Sequence, residues 1–169
     1  MSRRHIADTG LFVAMGQPSN SRYQAVRRFA RRNDITFLLP ERVYEELTGD
    51  DPAVTDVPVD TAIDEGWAEV AAPLEFSQPV VSRVMDGVQR YIANADGRPA
   101  DEVERADAAL AALAAQYLST GSAREVYLYT TDTAAGEGAE TSLESEGYGD
   151  SVTFVNGFRF IEDLVAGDS

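Results

Sequence analysis

The sequence predicts an α/β sandwich around a mostly parallel sheet, because short apolar runs alternate with segments whose apolar residues recur at helical spacing. The run ITFLL at residues 35–39 is typical of a strand buried on both faces, as the strands of parallel sheets are. A length of 169 residues and a hydrophobic content of 44% suit a single domain with a real core, which we expect over residues 1–169.

Each helix and strand follows from a local pattern. The turn GQPSN places Asn20 or Ser21 as the N-cap of a helix, and Pro40 opens the next helix, where proline is tolerated in the first turn. Residues 48–61, rich in Asp and Pro, are predicted to form a loop. Strands are predicted near residues 5–7, 35–39, 67–71, 125–129 and 152–155. Helices are predicted near residues 11–15, 21–34, 40–47, 62–66, 79–95, 100–118 and 133–146, with a C-terminal helical turn at 160–166.

The composition excludes several kinds of site. Without cysteine, the chain has no disulfide, no thiolate zinc or iron–sulfur site and no cysteine nucleophile. Its one histidine, His5, excludes a multi-histidine metal site within the chain. No apolar run approaches the ~18 residues of a transmembrane helix, and Asp8 interrupts the stretch in which a signal peptide is apolar. We therefore expect a cytoplasmic protein.

The charge of the chain is strongly negative but unevenly distributed. The formal net charge is −15, and all 14 basic residues are Arg, a composition similar to that of proteins from salt-loving microbes. In molar salt the Debye length falls to ~3 Å, so local geometry rather than net charge decides which partners bind. Residues 1–42 nevertheless hold 8 Arg against 3 acidic residues. We expect a chain that keeps such a cluster to use it.

Two aspartates directly follow predicted strands. Asp8 comes after the first strand, and Asp132 follows shortly after EVYLY. The carboxyl ends of parallel strands meet at the edge where such sheets bind ligands, so both carboxylates are candidates for a functional site. The alternative for each is an N-cap of the helix that follows, a role that stabilises a helix by about 1 kcal/mol.

Helical geometry selects two further acidic residues. In PERVYEEL, Glu46 borders the buried side of the helix because it lies three residues after Val43, whereas Glu45 falls on the polar face. Asp107 interrupts an alanine-rich helix whose small side chains allow a close approach to the sheet. A partly exposed aspartate on a surface helix is the alternative for Asp107.

If Asp8, Glu46, Asp107 and Asp132 converge, they form a site with oxygen ligands only. Four converging carboxylates repel one another and cannot all stay ionised unless a cation binds. A site without Cys or His selects Mg²⁺ or Mn²⁺. Such ions clamp phosphoryl oxygens and activate water for phosphodiester cleavage, so no protein nucleophile is required.

Four motifs occur in an order that resembles the PIN-domain ribonucleases: IADTGLFVAM, LLPERVYEEL, ADAALAALAAQY and YLYTTDTAAGEGAE. EGWAEVAAP is similar to a stretch of archaeal members. The resemblance implies a three-layer α/β/α sandwich with a central, mostly parallel sheet of about five strands, and an Mg²⁺- or Mn²⁺-dependent endoribonuclease. It assigns the catalytic and metal-binding roles to Asp8, Glu46, Asp107 and Asp132. Thr9 or Thr131 would add a hydroxyl, and Glu104 would assist or replace Asp107.

The resemblance also implies partners. RNA is the expected substrate, and the family adds an antitoxin protein and a second copy of the chain in a homodimer. The segment between LLPERVYEEL and ADAALAAL is longer than in compact toxin-type members, which weakens the toxin–antitoxin assignment. Two interpretations of the arginine cluster stay open: a solvated helix face, or a rim that contacts RNA phosphates. This cluster consists of Arg27, Arg28, Arg31 and Arg32.

Two other functions compete with the nuclease. A PIN-like domain that has lost catalysis would serve as a binding module, although all four candidate acids are present. A receiver-type phosphoacceptor domain also places aspartates around Mg²⁺ at strand ends, but it normally needs a lysine to hold the phosphoryl group. This chain has no lysine, so the receiver-type function ranks last.

Overall fold

A computed structural model of the protein describes residues 3–49, 58–97 and 105–167, with only the backbone described at residue 96 and at residues 105–107. Its strands are β1 (Arg3–Ala7), β2 (Phe37–Leu39), β3 (Ala68–Val70), β4 (Glu125–Thr130) and β5 (Val152–Asn156). The helices in those ranges are α1 (Thr9–Met15), α2 (Ser21–Arg32), α3 (Glu41–Thr48), α4 (Pro58–Asp64), α5 (Pro79–Asp96), α6 (Arg105–Thr120), α7 (Thr133–Ser145) and α8 (Gly157–Gly167). A 3-10 turn at Gly149–Ser151 leads into β5.

Within the described ranges, the five strands form one parallel sheet in the order β3-β2-β1-β4-β5. The register pairs Ile6 of β1 with Leu38 of β2 on one side and with Leu128 of β4 on the other. From β1 the chain builds outward to β2 and β3, and then crosses to the other side of β1 for β4 and β5. The strand order therefore reverses between β1 and β4. In open α/β sheets, ligands bind at such a reversal, beside the carboxyl ends of the two strands.

Alternate residues of the strands pack into two apolar clusters on opposite faces of the sheet. Ile6, Leu38 and Leu128 pack with residues of α5, α6 and α7, whereas Phe37 and Leu39 pack with residues of α1, α2, α4 and α8. Both faces are thus covered by helices, and the predicted three-layer α/β/α sandwich is confirmed. None of the helices in the described part of the chain has the length and apolarity that crossing a membrane requires.

The loop predicted at residues 48–61 is wrong at its end, because α4 begins at Pro58. Proline suits the first turn of a helix since the amide hydrogen it lacks would have no partner there. Val59 and Ala62 are buried in the core, and this packing outweighs the turn-like composition of the segment. Residues 50–57 of the predicted loop lie outside the described residues.

β2 begins at Phe37 and is shorter than the strand predicted at 35–39. The residues between α2 and β2 form the C-terminal turn that ends α2. Asp34 adopts a left-handed backbone conformation with φ of 53°, and the Ile35 N–H donates back to the Ala30 carbonyl at 2.8 Å. The chain leaves the helix through these positions and only then enters the sheet.

α8 is longer than the single turn predicted at 160–166, because it begins directly after β5. Asn156, the last residue of β5, accepts the Arg159 N–H through Oδ1 at 3.1 Å and so satisfies one of the amides at the start of the helix. The predicted start of α6 at residue 100 lies outside the described residues, whereas the end of α6 extends two residues beyond the prediction, to Thr120.

Two glycines inside α7 allow it to pack closely on its neighbours. Glycine weakens an isolated helix by about 1 kcal/mol relative to alanine. At Gly136 a Cβ would lie 2.6 Å from the ring of Phe154 in β5, and at Gly138 it would lie 3.1 Å from Tyr91 of α5. Because neither position has a side chain, α7 packs closely on β5 and on α5. This packing positions the start of α7 at the carboxyl edge of the sheet.

Candidate active site

The two strand-end aspartates lie at the point where the strand order reverses. Asp8 directly follows β1, and Asp132 lies two residues beyond the end of the neighbouring strand β4. The Asp8 N–H donates to the Tyr129 carbonyl at 3.0 Å, which continues the hydrogen bonding between the two strands to the edge of the sheet. An acidic residue therefore follows each of the two strands at the switch point of the sheet.

The Asp8 carboxylate is held on both of its oxygens. Oδ1 accepts the Leu11 N–H at 3.2 Å and so caps α1, while Oδ2 accepts the hydroxyl of Thr130. Burial raises the pKa of Asp8 to about 6, and the negative charge of Asp132 adds to the rise. The hydrogen bonds from Thr130, Leu11 and Gly10 oppose it. Asp8 therefore ionises at a higher pH than an exposed aspartate, because burial disfavours its charged form.

Asp132 caps the other helix that starts at this edge. Its Oδ1 accepts the Ala135 N–H at 3.1 Å, and its own N–H donates to the hydroxyl oxygen of Thr130 at 3.1 Å. Thr130 is fully buried and connects the two aspartates, because it donates to one side chain and accepts from the backbone of the other. The alternative of an N-cap, which the sequence left open for each aspartate, is the structural role of both.

Thr131 also lies beside the two aspartates, in close contact with Gly10. A Cβ on Gly10 would lie 1.9 Å from Thr131 Oγ1 and 3.3 Å from Asp8 Oδ1, so the first turn of α1 has no room for a side chain at this position. Gly157 meets the methyl group of the same threonine, with a Cβ placed at 3.0 Å from Thr131 Cγ2. Glycines on two helices therefore hold the Thr131 side chain beside the aspartates.

Glu46 reaches this edge from α3. The Thr9 hydroxyl, in the residue after Asp8, donates to Glu46 Oε2 at 2.7 Å. The Glu46 side chain is exposed and therefore accessible to a ligand. Its neighbour Glu45 lines a separate cavity on the other side of the helix. Both glutamates are exposed, so burial does not distinguish Glu46 from Glu45 in the way that the helical phase predicts; they differ instead in their contacts, since Glu46 accepts from Thr9 and Glu45 lines the cavity.

Asp107 lies in the first turn of α6, and its side chain is outside the described part of the chain, as is the whole of Glu104. The residues that follow it, from Ala108 to Ala115, are all buried, which shows the close approach of this alanine-rich helix to the sheet. Among side chains that the structure describes, no three acidic or histidine residues are grouped closely enough to hold one metal ion. The described part of the site is the Asp8–Asp132 pair, with Glu46 adjoining it through Thr9.

The arginine cluster lies toward the other edge of the sheet. α2 ends just before β2 begins, so Arg31 and Arg32 in its last turn are near the amino ends of the strands. Arg27 and Arg31 both pair with Glu65, at N···O distances of 3.4 and 2.9 Å. These arginines are therefore not part of the wall around Asp8 and Asp132.

Sequence reasoning did not identify Thr130 and Gly10 as site residues. A signal for Thr130 exists in the run EVYLYT, since a hydroxyl at the end of an apolar strand needs a partner when it is buried. Gly10 follows the strand-end aspartate by two residues, where an early helical glycine indicates a close approach. The partner of each depends on the pairing of β1 with β4, which the sequence alone does not specify.

A parallel sheet with an acidic pair at its switch point defines the class of α/β proteins that bind their ligands at the carboxyl edge. The chain belongs to the halobacterial PIN domain family, which it matches over residues 1–168. The resemblance to PIN domains is thereby confirmed, and the fold is nuclease-like. No curated protein and no solved structure matches the chain.

Proposed function

We propose that this protein is a metal-dependent endoribonuclease that hydrolyses phosphodiester bonds of RNA at the edge formed by Asp8 and Asp132. The observation that carries the proposal is the pair itself: two carboxylates at the switch point, one of them with its pKa raised by burial to about 6. Membership of a family with a nuclease-like fold supports it. A buried acid with a raised pKa is a candidate functional residue, because burial of a carboxylate destabilises the protein and such perturbed groups are concentrated at functional sites.

The side chains at this edge suit a hard divalent cation. All the donor groups are oxygens, from the carboxylates of Asp8, Asp132 and Glu46 and the hydroxyls of Thr9 and Thr131. His5 lies elsewhere, stacked on Tyr127 at a ring distance of 5.0 Å. We infer that Asp8, Asp132 and the predicted acid Asp107 would hold Mg²⁺ or Mn²⁺, which such ligands select, and that Glu46 would act beside the ion from its position next to Thr9. When bound, an ion of this kind activates water and neutralises charge on the phosphoryl group.

The residues of the chain hold this edge in a fixed geometry. Asp8 and Asp132 are fixed by the helices that they cap, and Thr130 connects them, so neither carboxylate has to be ordered when a ligand arrives. Glu46 is exposed and bonded to Thr9, so it is placed to accept a proton or a hydrogen bond from a water molecule at the edge. A preorganised acidic edge of this kind suits chemistry in which no protein nucleophile takes part.

The proposal is tested by RNA cleavage in a high-salt buffer containing Mg²⁺ or Mn²⁺, with Asp8→Asn as the variant and Asp163→Asn as the matched control. Asp163 is an exposed aspartate of α8. We expect cleavage by the wild type that a chelator abolishes, a loss of about a hundredfold or more in Asp8→Asn, and full activity in the control. Equal cleavage by folded Asp8→Asn, or cleavage that survives the chelator, would overturn the proposal.

A further inference from the structure

A second concave region opens at the same edge of the sheet, on the far side of α3. It is a cavity of about 220 Å³ between α3, the segment that follows β3, and the packed helices α5 and α6. Met85 and Leu113 are buried apolar residues in its wall, and Phe76 is its aromatic residue. Its charged residues are Arg42 and two glutamates, Glu41 and Glu45. The cavity thus combines an apolar base with polar groups of both charges, which is typical of sites for small planar ligands.

This cavity adjoins the acidic edge along α3. Arg42 precedes Glu46 by one helical turn, so the two side chains are neighbours on the surface of α3. Ala109 and Leu113 of α6 line the opposite wall of the cavity. A chain of nucleotides bound at the acidic edge would therefore reach the cavity with an adjacent residue.

Phe76 is exposed over 58% of its surface although the segment that carries it is firmly held. The buried side chain of Gln116 accepts the Glu75 N–H at 2.7 Å and donates to the Pro73 carbonyl at 3.2 Å. The ring also lines a second cavity, of about 180 Å³, with Met85 shared between the two. Space is therefore open beside an exposed ring whose adjoining backbone is held by Gln116, and a planar group can stack there.

We propose that the cavity at Arg42 and Phe76 receives one unpaired base of the RNA strand, next to the bond that is cleaved, and favours bases with an exocyclic amino group. The inference rests on the proposed ribonuclease function and adds its base preference. Phe76 would stack on the base, as aromatic side chains do with single-stranded RNA. The Arg42 guanidinium would contact a neighbouring phosphate, and the Glu45 carboxylate would accept from the amino group of cytosine, adenine or guanine. Uracil has no such donor.

The test compares binding of two single-stranded probes of equal length, oligocytidine and oligouridine, by fluorescence anisotropy in high salt. The protein is Asp8→Asn, which prevents cleavage of the probe, alone or combined with Phe76→Ala or Phe76→Tyr. Phe158→Ala is the control, since Phe158 is a similarly exposed ring, at 56%, on α8. We expect a preference for oligocytidine that falls about tenfold in Phe76→Ala and is retained in Phe76→Tyr and Phe158→Ala. Glu45→Gln should reduce the same preference.

The outcomes separate this inference from the proposed function. If the wild type cleaves RNA with metal but Phe76→Ala keeps the base preference, the cavity is refuted and the nuclease stands. If the preference is lost in Phe76→Ala while the wild type cleaves nothing, the cavity is supported and the nuclease is refuted. If the folded protein binds neither probe, or binds both equally, the cavity is refuted and the nuclease is judged by the cleavage test alone. Circular dichroism establishes that each variant is folded.

Discussion

Asp8 follows β1 directly and Asp132 lies two residues beyond the neighbouring strand β4, and each caps the helix that follows with its Oδ1 atom. Thr130 donates its hydroxyl to Asp8 and accepts the backbone N–H of Asp132, so the pair is connected through one buried side chain. A capping role and a functional role are thus compatible here. The cap fixes the carboxylate in place, and a carboxylate oxygen can accept a second partner.

The first prediction concerns the pH dependence of stability. The pKa of Asp8 is about 6 in the folded protein and about 3.9 when exposed, so between pH 4 and 6 the folded state binds more protons than the unfolded state. Ionisation of the buried Asp8 therefore lowers the free energy of unfolding. This loss of stability is absent below pH 4, grows as the pH rises and is complete above pH 6. Asparagine is uncharged and caps a helix equally well. Asp8→Asn should be more stable than the wild type at pH 7, by about 1–3 kcal/mol.

This difference is measured by urea denaturation without divalent metal at pH 4, 5, 6 and 7, with Asp163→Asn as the control. It should shrink as the pH falls and vanish near pH 4, while the exposed control follows the wild type throughout. A gain in Asp8→Asn that is equal at pH 4 and pH 7 would show that its origin is packing and not ionisation.

The second prediction concerns metal binding and the two glutamates of α3. Mg²⁺ or Mn²⁺ at a hundred times its dissociation constant should stabilise the wild type by about 2.7 kcal/mol, which raises the melting temperature by about 5–10 °C. Glu46→Gln should lose much of this increase, because Glu46 adjoins the aspartate pair through Thr9. Glu45→Gln should retain it, because Glu45 lines the cavity on the other side of the helix.

The readout of the second prediction is a thermal melt with and without the ion, at pH 7 and at pH 5. At pH 5 the stabilisation of the wild type should be smaller, because the ion must displace the proton of Asp8 before it binds. If Glu45→Gln loses the metal effect and Glu46→Gln keeps it, the assignment of the two glutamates is reversed.

Much of this edge could be predicted from the sequence because it depends on local patterns. Asp8 and Asp132 were selected by their places after apolar strands, and Glu46 by its phase on a helix, and each of these signals is contained within about ten residues. The buried connection through Thr130 was missed because it depends on which strands are neighbours. The start of α4 was missed because the Asp and Pro content of residues 58–61 resembles a loop, and only the burial of Val59 and Ala62 explains why the helix begins at Pro58.

The third prediction concerns the close contact between Gly10 and Thr131. Gly10→Ala places a methyl group 1.9 Å from Thr131 Oγ1, so the threonine must turn away or α1 must shift. We expect Gly10→Ala to lower stability by about 1–3 kcal/mol despite the higher helix propensity of alanine. Thr131→Ala removes the atom that is nearest, so Gly10→Ala should cost less in that background.

A double-mutant cycle measured by urea denaturation gives the coupling between the two positions, which we expect to be about 1 kcal/mol or more. RNA cleavage by the same four proteins then shows whether the Thr131 hydroxyl acts at the site. If the effects of Gly10→Ala and Thr131→Ala on stability simply add, the contact is absent in solution.

The last prediction concerns the arginine cluster on α2, which lies toward the edge of the sheet where the strands begin. A strand of five residues such as β1 is about 16 Å long, so the cluster is separated from the aspartate pair by roughly that length. Arg27 and Arg31 are also partly neutralised by Glu65. If the cluster contacts RNA, it must therefore do so several nucleotides away from the cleaved bond.

Charge reversal at Arg28 and Arg31 should weaken binding of a long single-stranded RNA and leave binding of a tetranucleotide unchanged. If both arginines contact phosphates, the slope of log affinity against log salt should fall by about 1.4 for the long RNA. The matched control reverses Arg83 and Arg90, which are exposed residues of α5 and give the same change of net charge. Because the control shares the altered net charge, an equal loss in both proteins would indicate a general field effect. If the α2 variant binds long RNA like the wild type at every salt concentration, the cluster is a solvated helix face that serves solubility and pairs with Glu65.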